Sequence, residues 1–322
     1  MNRRETLRSF LALGATAGPF AGFAQQPGRM RQVVLFAGSA QGKEWFVGGL
    51  RDLGWVEGKN IALQARTIEV DEEAIRAELR KLLERPVDVL VMASAPRIRA
   101  AMSVTSTIPI VGLDLESDPV ASGFVNSLAR PGGNVIGVWM DFPELAGKQL
   151  QLLGEAVPRL SRVGVAWDDR FSGPQLQHAQ AAARASGVTL LPVVVHEPAE
   201  ISGAYKQLLT QRAQALLVLT APTIFRSLPR IADLAREHRL PSICLFSTYA
   251  DAGGLLSYGP DFPSMWRQVA GYVNRIFKGA KVSDLPVERP SKLELAINLG
   301  TAKVLGIGIP QSFLLRADRV IE

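Results

Sequence analysis

Cysteine is nearly missing from this sequence: among 322 residues there is one, Cys244. That excludes an internal disulfide, and a chain this large needs none even in an oxidising compartment. Cys244 stands in the apolar run Ile243–Phe246, where a buried, inert thiol is expected. Histidine is almost as scarce. His178, His196 and His238 have no partner at metal-ligand spacing and read as surface residues. No run of five or six basic residues occurs, so no nucleic-acid footprint is present. Nor is there a Walker loop or a Gly-x-Ser-x-Gly elbow. Leu255-Leu256-Ser257-Tyr258-Gly259 has leucine where the first glycine is needed, and Gly306-Ile307-Gly308 lacks the third glycine of a dinucleotide turn.

Long apolar runs are also few. Phe10–Ala24 is broken by Gly14, Gly18 and Pro19 and is too short for the roughly 30 Å of a bilayer core. It follows a basic start, Arg3-Arg4-x-x-Leu7-Arg8, resembling a twin-arginine export signal. With small residues at Gly22-Phe23-Ala24 and no cysteine for lipidation, residues 1–24 are expected to be removed, leaving a free periplasmic protein without stable membrane insertion. The net charge is +6. Three arginines and one glutamate in that leader carry +2, so the mature chain carries +4.

What the chain does have is a repeated grammar of strand, loop and helix. Val33–Phe36, Ile61–Ala65, Val87–Met92 and Ile110–Leu113 read as buried strands, separated by helical segments such as Glu72–Glu84. The pattern restarts after residue 160 with Val163–Trp167, Thr189–Val195, Ala215–Leu219 and Ser242–Phe246. Alternation of this kind implies parallel sheets with right-handed crossovers and helices on both faces. Between the series stands Ser127–Leu153, where the turn Arg130-Pro131-Gly132-Gly133-Asn134 leads into the strand Val135–Trp139 and a helix from about Pro143. That stretch reads as the first crossing between two lobes, and Gly259-Pro260-Asp261 as the second. The helix Phe262–Phe277 is expected to return to the first lobe.

Two doubly wound lobes gather their loops at the carboxyl ends of the strands, where ligands bind. Gly38–Gly42 follows the first strand and is able to cradle an anion. The acidic cluster Asp114-Leu115-Glu116-Ser117-Asp118 and the pair Asp168-Asp169 follow later strands. Each acidic group could serve as acid and base or as a metal site, but Asp118 as a helix cap or an amine partner is the plainer reading. No catalytic constellation emerges. All five tryptophans read as core, with Trp45 and Trp167 also placed to wall an apolar pocket.

Several segments together resemble the bacterial ABC-transporter substrate-binding proteins that include tryptophan- and tyrosine-binding receptors. They are Gly49–Asn60, Thr105–Val111, Ser117–Val120, Leu128–Val135, Ala252–Asp261 and Leu295–Leu299. The resemblance spans the mature chain and implies an α/β, periplasmic-binding-protein type I-like fold, two doubly wound lobes joined by a multi-crossing hinge. Residues 25–139 with about 259–282 would form one lobe, and 140–258 with about 283–322 the other. It implies ligand contacts from Ser39, Gln41, Ser94, Ala95 and Asp118 in the first lobe and from Asp168, Thr220 and Ser247 in the second. Tyr258 would stand at the crossing, with Gly137, Val138, Tyr258 and Gly259 as hinge residues. Members often carry threonine before the proline of the second loop, but Ala95 precedes Pro96 here, so a side-chain donor is missing.

The function expected is a non-enzymatic, monomeric periplasmic receptor. It would use no cofactor or metal and would deliver a small-molecule ligand, an amino acid or aromatic or organic acid, to an inner-membrane ABC permease. The alternatives are a ligand-sensing subunit of a membrane signalling protein and a periplasmic enzyme using the cleft carboxylates.

Overall fold

The computed structural model describes residues 29–66, 71–115, 117–140 and 142–322, so the leader read as an export signal lies outside the described residues. The first series gives strands β1 (Arg31–Phe36), β2 (Ile61–Arg66), β3 (Val89–Ala93), β4 (Ile110–Asp114) and β5 (Val135–Trp139). They form one parallel sheet in the order β2-β1-β3-β4-β5. Helices α1 (Ala40–Asp52), α2 (Glu72–Leu82) and α3 (Ala95–Val104) connect the first four strands.

The second series runs α4 (Phe142–Ala156), β6 (Arg162–Trp167), α5 (Gly173–Ser186), β7 (Thr189–Val194), α6 (Ile201–Thr210), β8 (Ala215–Val218), α7 (Pro222–Arg226) and α8 (Leu228–Glu237). It continues through β9 (Ser242–Cys244), α9 (Ser247–Asp251), β10 (Leu256–Pro260) and α10 (Phe262–Phe277). The tail adds β11 (Leu293–Asn298), α11 (Leu299–Leu305), α12 (Gln311–Leu314) and β12 (Arg319–Ile321). The second sheet has the order β12-β11-β10-β9-β8-β6-β7. Read from the β7 edge, its first five strands repeat the arrangement of the first sheet, and β11 is added antiparallel. The two-lobed, periplasmic-binding-protein type I-like architecture follows from this repetition.

Alternation along each strand explains the double layering. Val33 and Leu35 pack with Phe46, Leu50 and Trp266 on the α1–α10 face, whereas Val34 and Phe36 pack with Ile75, Leu79 and Ile98 on the α2–α3 face. In the second sheet Val163, Leu217 and Ile243 meet α4 and α5, and Leu216, Val218 and Cys244 meet α6 and α8. Burial pushes the Cys244 thiol up to about 12, as an inert core cysteine requires.

The chain passes between the sheets three times. The first passage follows β5, and the second lies between β10 and α10, where Asp261 caps the returning helix. The third follows α10, near the boundary at about 282–283 that the sequence bounds of the two lobes imply. The Val287 N–H donates to the Leu128 carbonyl, and Trp139 and Gly137 exchange backbone bonds with Glu288, before β11 rejoins the second sheet. Residues 287–288 therefore edge the first sheet. Gly137 and Val138 lie inside β5, paired with Gly112 and Leu113. Gly259 is likewise paired, with Glu294, and an added Cβ there would meet the Leu245 carbonyl at 2.3 Å. Among the described residues no helix is long and apolar enough to cross a membrane.

Candidate functional site

The carboxyl ends of the two sheets face one another, because one small apolar cluster draws from both. Leu115 follows β4 and Met140 follows β5. They pack with Phe142 and Leu145 of α4, Leu245 and Phe246 after β9, Tyr258 of β10 and Phe262 of α10. Aromatic rings continue the contact in a chain. Trp45 stacks on Phe262 at 6.3 Å, Phe262 lies 5.4 Å from Phe246, and Phe246 meets Phe225 edge-on at 4.7 Å. Trp45 thus joins the wall between the lobes. Trp167 packs instead against the α4–α5 core. Phe225, Phe246 and Phe262 were not singled out from the sequence, since a phenylalanine in an amphipathic segment carries no sign of which surface it will meet.

On the first-lobe side, Ser39 caps α1 by accepting the Gly42 N–H at 3.1 Å, and Gln41 is exposed and bonded to Glu44. Gly42 lies within α1 rather than in an anion-cradling loop, and its missing Cβ makes room for the Trp266 indole. Ser94 is held at φ +102°, a conformation that disfavours side chains. Its N–H donates to Leu113, and its hydroxyl accepts from Arg97 Nη1 at 3.0 Å. The N–H of Ala95, where the resemblance implies a ligand contact, donates to Asp114 Oδ1 at 3.2 Å. The protein's own acid therefore fills the α3 N-terminus. Asp114 is 4% exposed, takes the Ser117 hydroxyl on its other oxygen, and is held above the usual carboxylate range by burial. Asp118 is exposed and spent on its own turn, accepting the Val120 and Ala121 N–H groups.

In the second lobe Asp168 is fully buried and receives the Arg170 guanidinium on both oxygens, at 2.8 and 2.6 Å. Thr220 belongs to an internal network: Gln175 donates to its hydroxyl at 2.7 Å and accepts its N–H at 2.9 Å, while Ser172 donates to its carbonyl. Ser247 opens α9, and its carbonyl accepts from Arg319. Tyr258 is half-buried, packs in the cluster shared by the two lobes, and its hydroxyl pKa is raised, first by burial and then by the nearby charge of Asp318. His196, read as a free surface residue, bonds Asp169 at 2.7 Å. Asp168, Asp169 and His196 bring ligand atoms within 4.8 Å of one another, but the Asp168 carboxylate is already occupied by Arg170.

Known proteins share this arrangement. The sequence profile of the family described as ABC transporter substrate binding protein matches residues 34–321. The chain belongs to that family. It is similar to a tyrosine-binding protein of Clostridioides difficile, 26% identical over 276 residues, covering 85% of this chain and 79% of that one. The fold matches a conserved domain protein from Vibrio cholerae with a TM-score of 0.78 at 24% identity, over 91% of this chain and all of the other. It also matches an ABC domain from Streptococcus pneumonia in complex with L-Trp, with a TM-score of 0.76, 24% identity and the same coverage.

In this substrate-binding protein the buried Asp168 and its half-exposed partner Arg170 set a pH dependence. Hydrogen bonding from Arg170, outweighing desolvation, holds the Asp168 carboxyl below its ordinary range. A depressed acid stabilises the fold above its unfolded value near ~3.9, and the effect is lost as pH falls through the folded value. Asp168→Asn is therefore expected to melt below the wild type at pH 7, with the gap closing as pH falls through and below the ordinary aspartate range. Melting curves across that range check it, and a gap independent of pH would count against the ion pair as its source.

Proposed function

We propose that this protein is the solute-binding component of an ABC-type transporter in the periplasm. It would hold a small organic molecule, an amino acid or an aromatic or organic acid, between its lobes and hand it as a monomer to an inner-membrane permease. The observation that carries the reading is the meeting of the two carboxyl edges across three chain passages, walled by Trp45, Phe262, Phe246 and Phe225. Such an edge is where open α/β sheets take ligands, and linked lobes close when one ligand touches both faces. The exposed guanidinium of Arg170, held by Asp168, supplies a polar anchor on the second-lobe side. Membership in a family of substrate-binding proteins and similarity to a tyrosine-binding protein support a receptor rather than an enzyme.

The test is a thermal-shift screen of the purified protein against amino acids, aromatic acids and small organic anions. A ligand of the folded state at about 100 times its Kd adds roughly 2.7 kcal/mol, so a true ligand raises Tm by several degrees in a concentration-dependent way. Chemical turnover of the compound that shifts Tm would overturn the receptor reading.

A further inference from the structure

An exposed arginine ordinarily sweeps a large volume, and a fixed one is an oriented recognition group. Arg170 is fixed although its side chain is 52% exposed. Its Nε and Nη2 form a two-pronged bond to Asp168, and Nη2 also donates to the His196 carbonyl at 3.1 Å. Its guanidinium carbon lies 5.6 Å from the Phe171 ring centroid. The loop beneath is equally rigid, because the Phe171 and Ser172 N–H groups donate back to the Asp168 carbonyl. Nη1 has no hydrogen-bond partner among the described residues, so the outer edge of the fork stays open. That edge lies at the carboxyl end of β6, on the side of the second sheet that faces the first lobe.

The surroundings suit an acid with an apolar body. The His196 carbonyl also accepts the Thr223 hydroxyl, which ties α7 and its exposed Phe225 to the arginine. From Phe225 the aromatic wall leads to Phe246 and Phe262. The nearby acidic groups are spent: Asp169 on His196, and Glu200 on the backbone N–H groups of His196 and Glu197. Asp168 itself is fully buried and cannot touch a ligand. We propose that Arg170 is the specificity-determining residue of the site, recognising the carboxylate of an organic acid whose apolar body lies along Phe225 and Phe246, with Asp168 as its positioning residue. The assignment rests on the receptor reading and narrows it to acids.

Calorimetric titration of the full chain with 3-phenylpropionate, 3-phenylpropionamide and 2-phenylethylamine tests it, since the three share an apolar body and differ in charge. The acid is expected to bind more tightly than the amide or the amine. Arg170→Gln should weaken the acid about tenfold to a hundredfold, the range of a lost charge-assisted contact, and change the amide by less than about threefold. Arg170→Lys should recover only part of the loss, because it restores the charge and not the fork. Asp168→Asn, which keeps the cation but releases it, should reduce the preference for acid over amide, and Asp168→Glu should restore some of it. Equal affinity for acid and amide, tighter binding of the amine, or an acid affinity unmoved by Arg170→Gln would overturn the inference while leaving the receptor reading intact. Binding of none of the three would overturn the inference and count against a receptor for apolar organic compounds as well.

Discussion

Gly137→Ala is expected to be the most damaging single-methyl change in the cleft-forming strands. Gly137 sits inside β5 at φ +148°, opposite Gly112 of β4, and an added Cβ would stand 1.9 Å from the Gly112 carbonyl oxygen. The obstacle is backbone on a neighbouring strand, so no rotamer change relieves it. On its other side the Gly137 carbonyl accepts the Glu288 N–H, which is how the third chain passage is held to the first sheet. Adding about 1–3 kcal/mol of backbone strain to about 1–3 kcal/mol of overpacking gives a loss of roughly 2–6 kcal/mol. A fall in Tm of roughly 4–20 °C follows for a chain of this size. Gly133→Ala is the matched control, because an added Cβ there meets nothing within 4 Å. Urea and thermal denaturation of the two variants give the comparison; a Gly137→Ala protein that melts with the control would refute the close approach of β4 and β5.

Trp266→Ala should follow it closely, by the opposite mechanism. Trp266 is 3% exposed, packs edge-on against Phe46 at 6.1 Å, and occupies the space left by Gly42 of α1. It anchors α10, and with it the second chain passage, to the first lobe. Emptying that site costs about 3–5 kcal/mol in lost burial and residual cavity, or roughly 10 °C in Tm. A double-mutant cycle makes the contact specific. Gly42→Ala should destabilise the wild type, because its Cβ would lie 2.9 Å from the indole, and should be nearly neutral beside Trp266→Leu. Additive effects of the two changes would show that the glycine is there for another reason.

The strand–helix grammar, the parallel sheets, the returning helix Phe262–Phe277 and the buried thiol were all legible in the chain, because each depends on local periodicity: a strand with both faces buried needs an unbroken apolar run, and an amphipathic helix shows its face at every turn. The edges that would carry a ligand were legible for the same reason, since the carboxyl ends of the strands are named by the strands. Which side chains occupy those edges was not. Asp168 read as a ligand group and is consumed by Arg170, two residues on. Ala95 read as a ligand contact without a side-chain donor, and its N–H is taken by Asp114, nineteen residues away in the chain. In the acidic cluster after β4, Asp118 caps its own turn, while the buried acid is Asp114.

The division has a physical basis. Hydrophobic burial is nearly non-directional and repeats along the chain, so the sequence by itself determined two doubly wound sheets and the order of their elements. Hydrogen bonds and ion pairs are directional and short, and their partners here come from separate elements. Only the tertiary structure could decide that Phe225, Phe246, Phe262 and Trp45 form one wall, that residues 287–288 edge the first sheet, and that the open charge at the second lobe's edge belongs to Arg170.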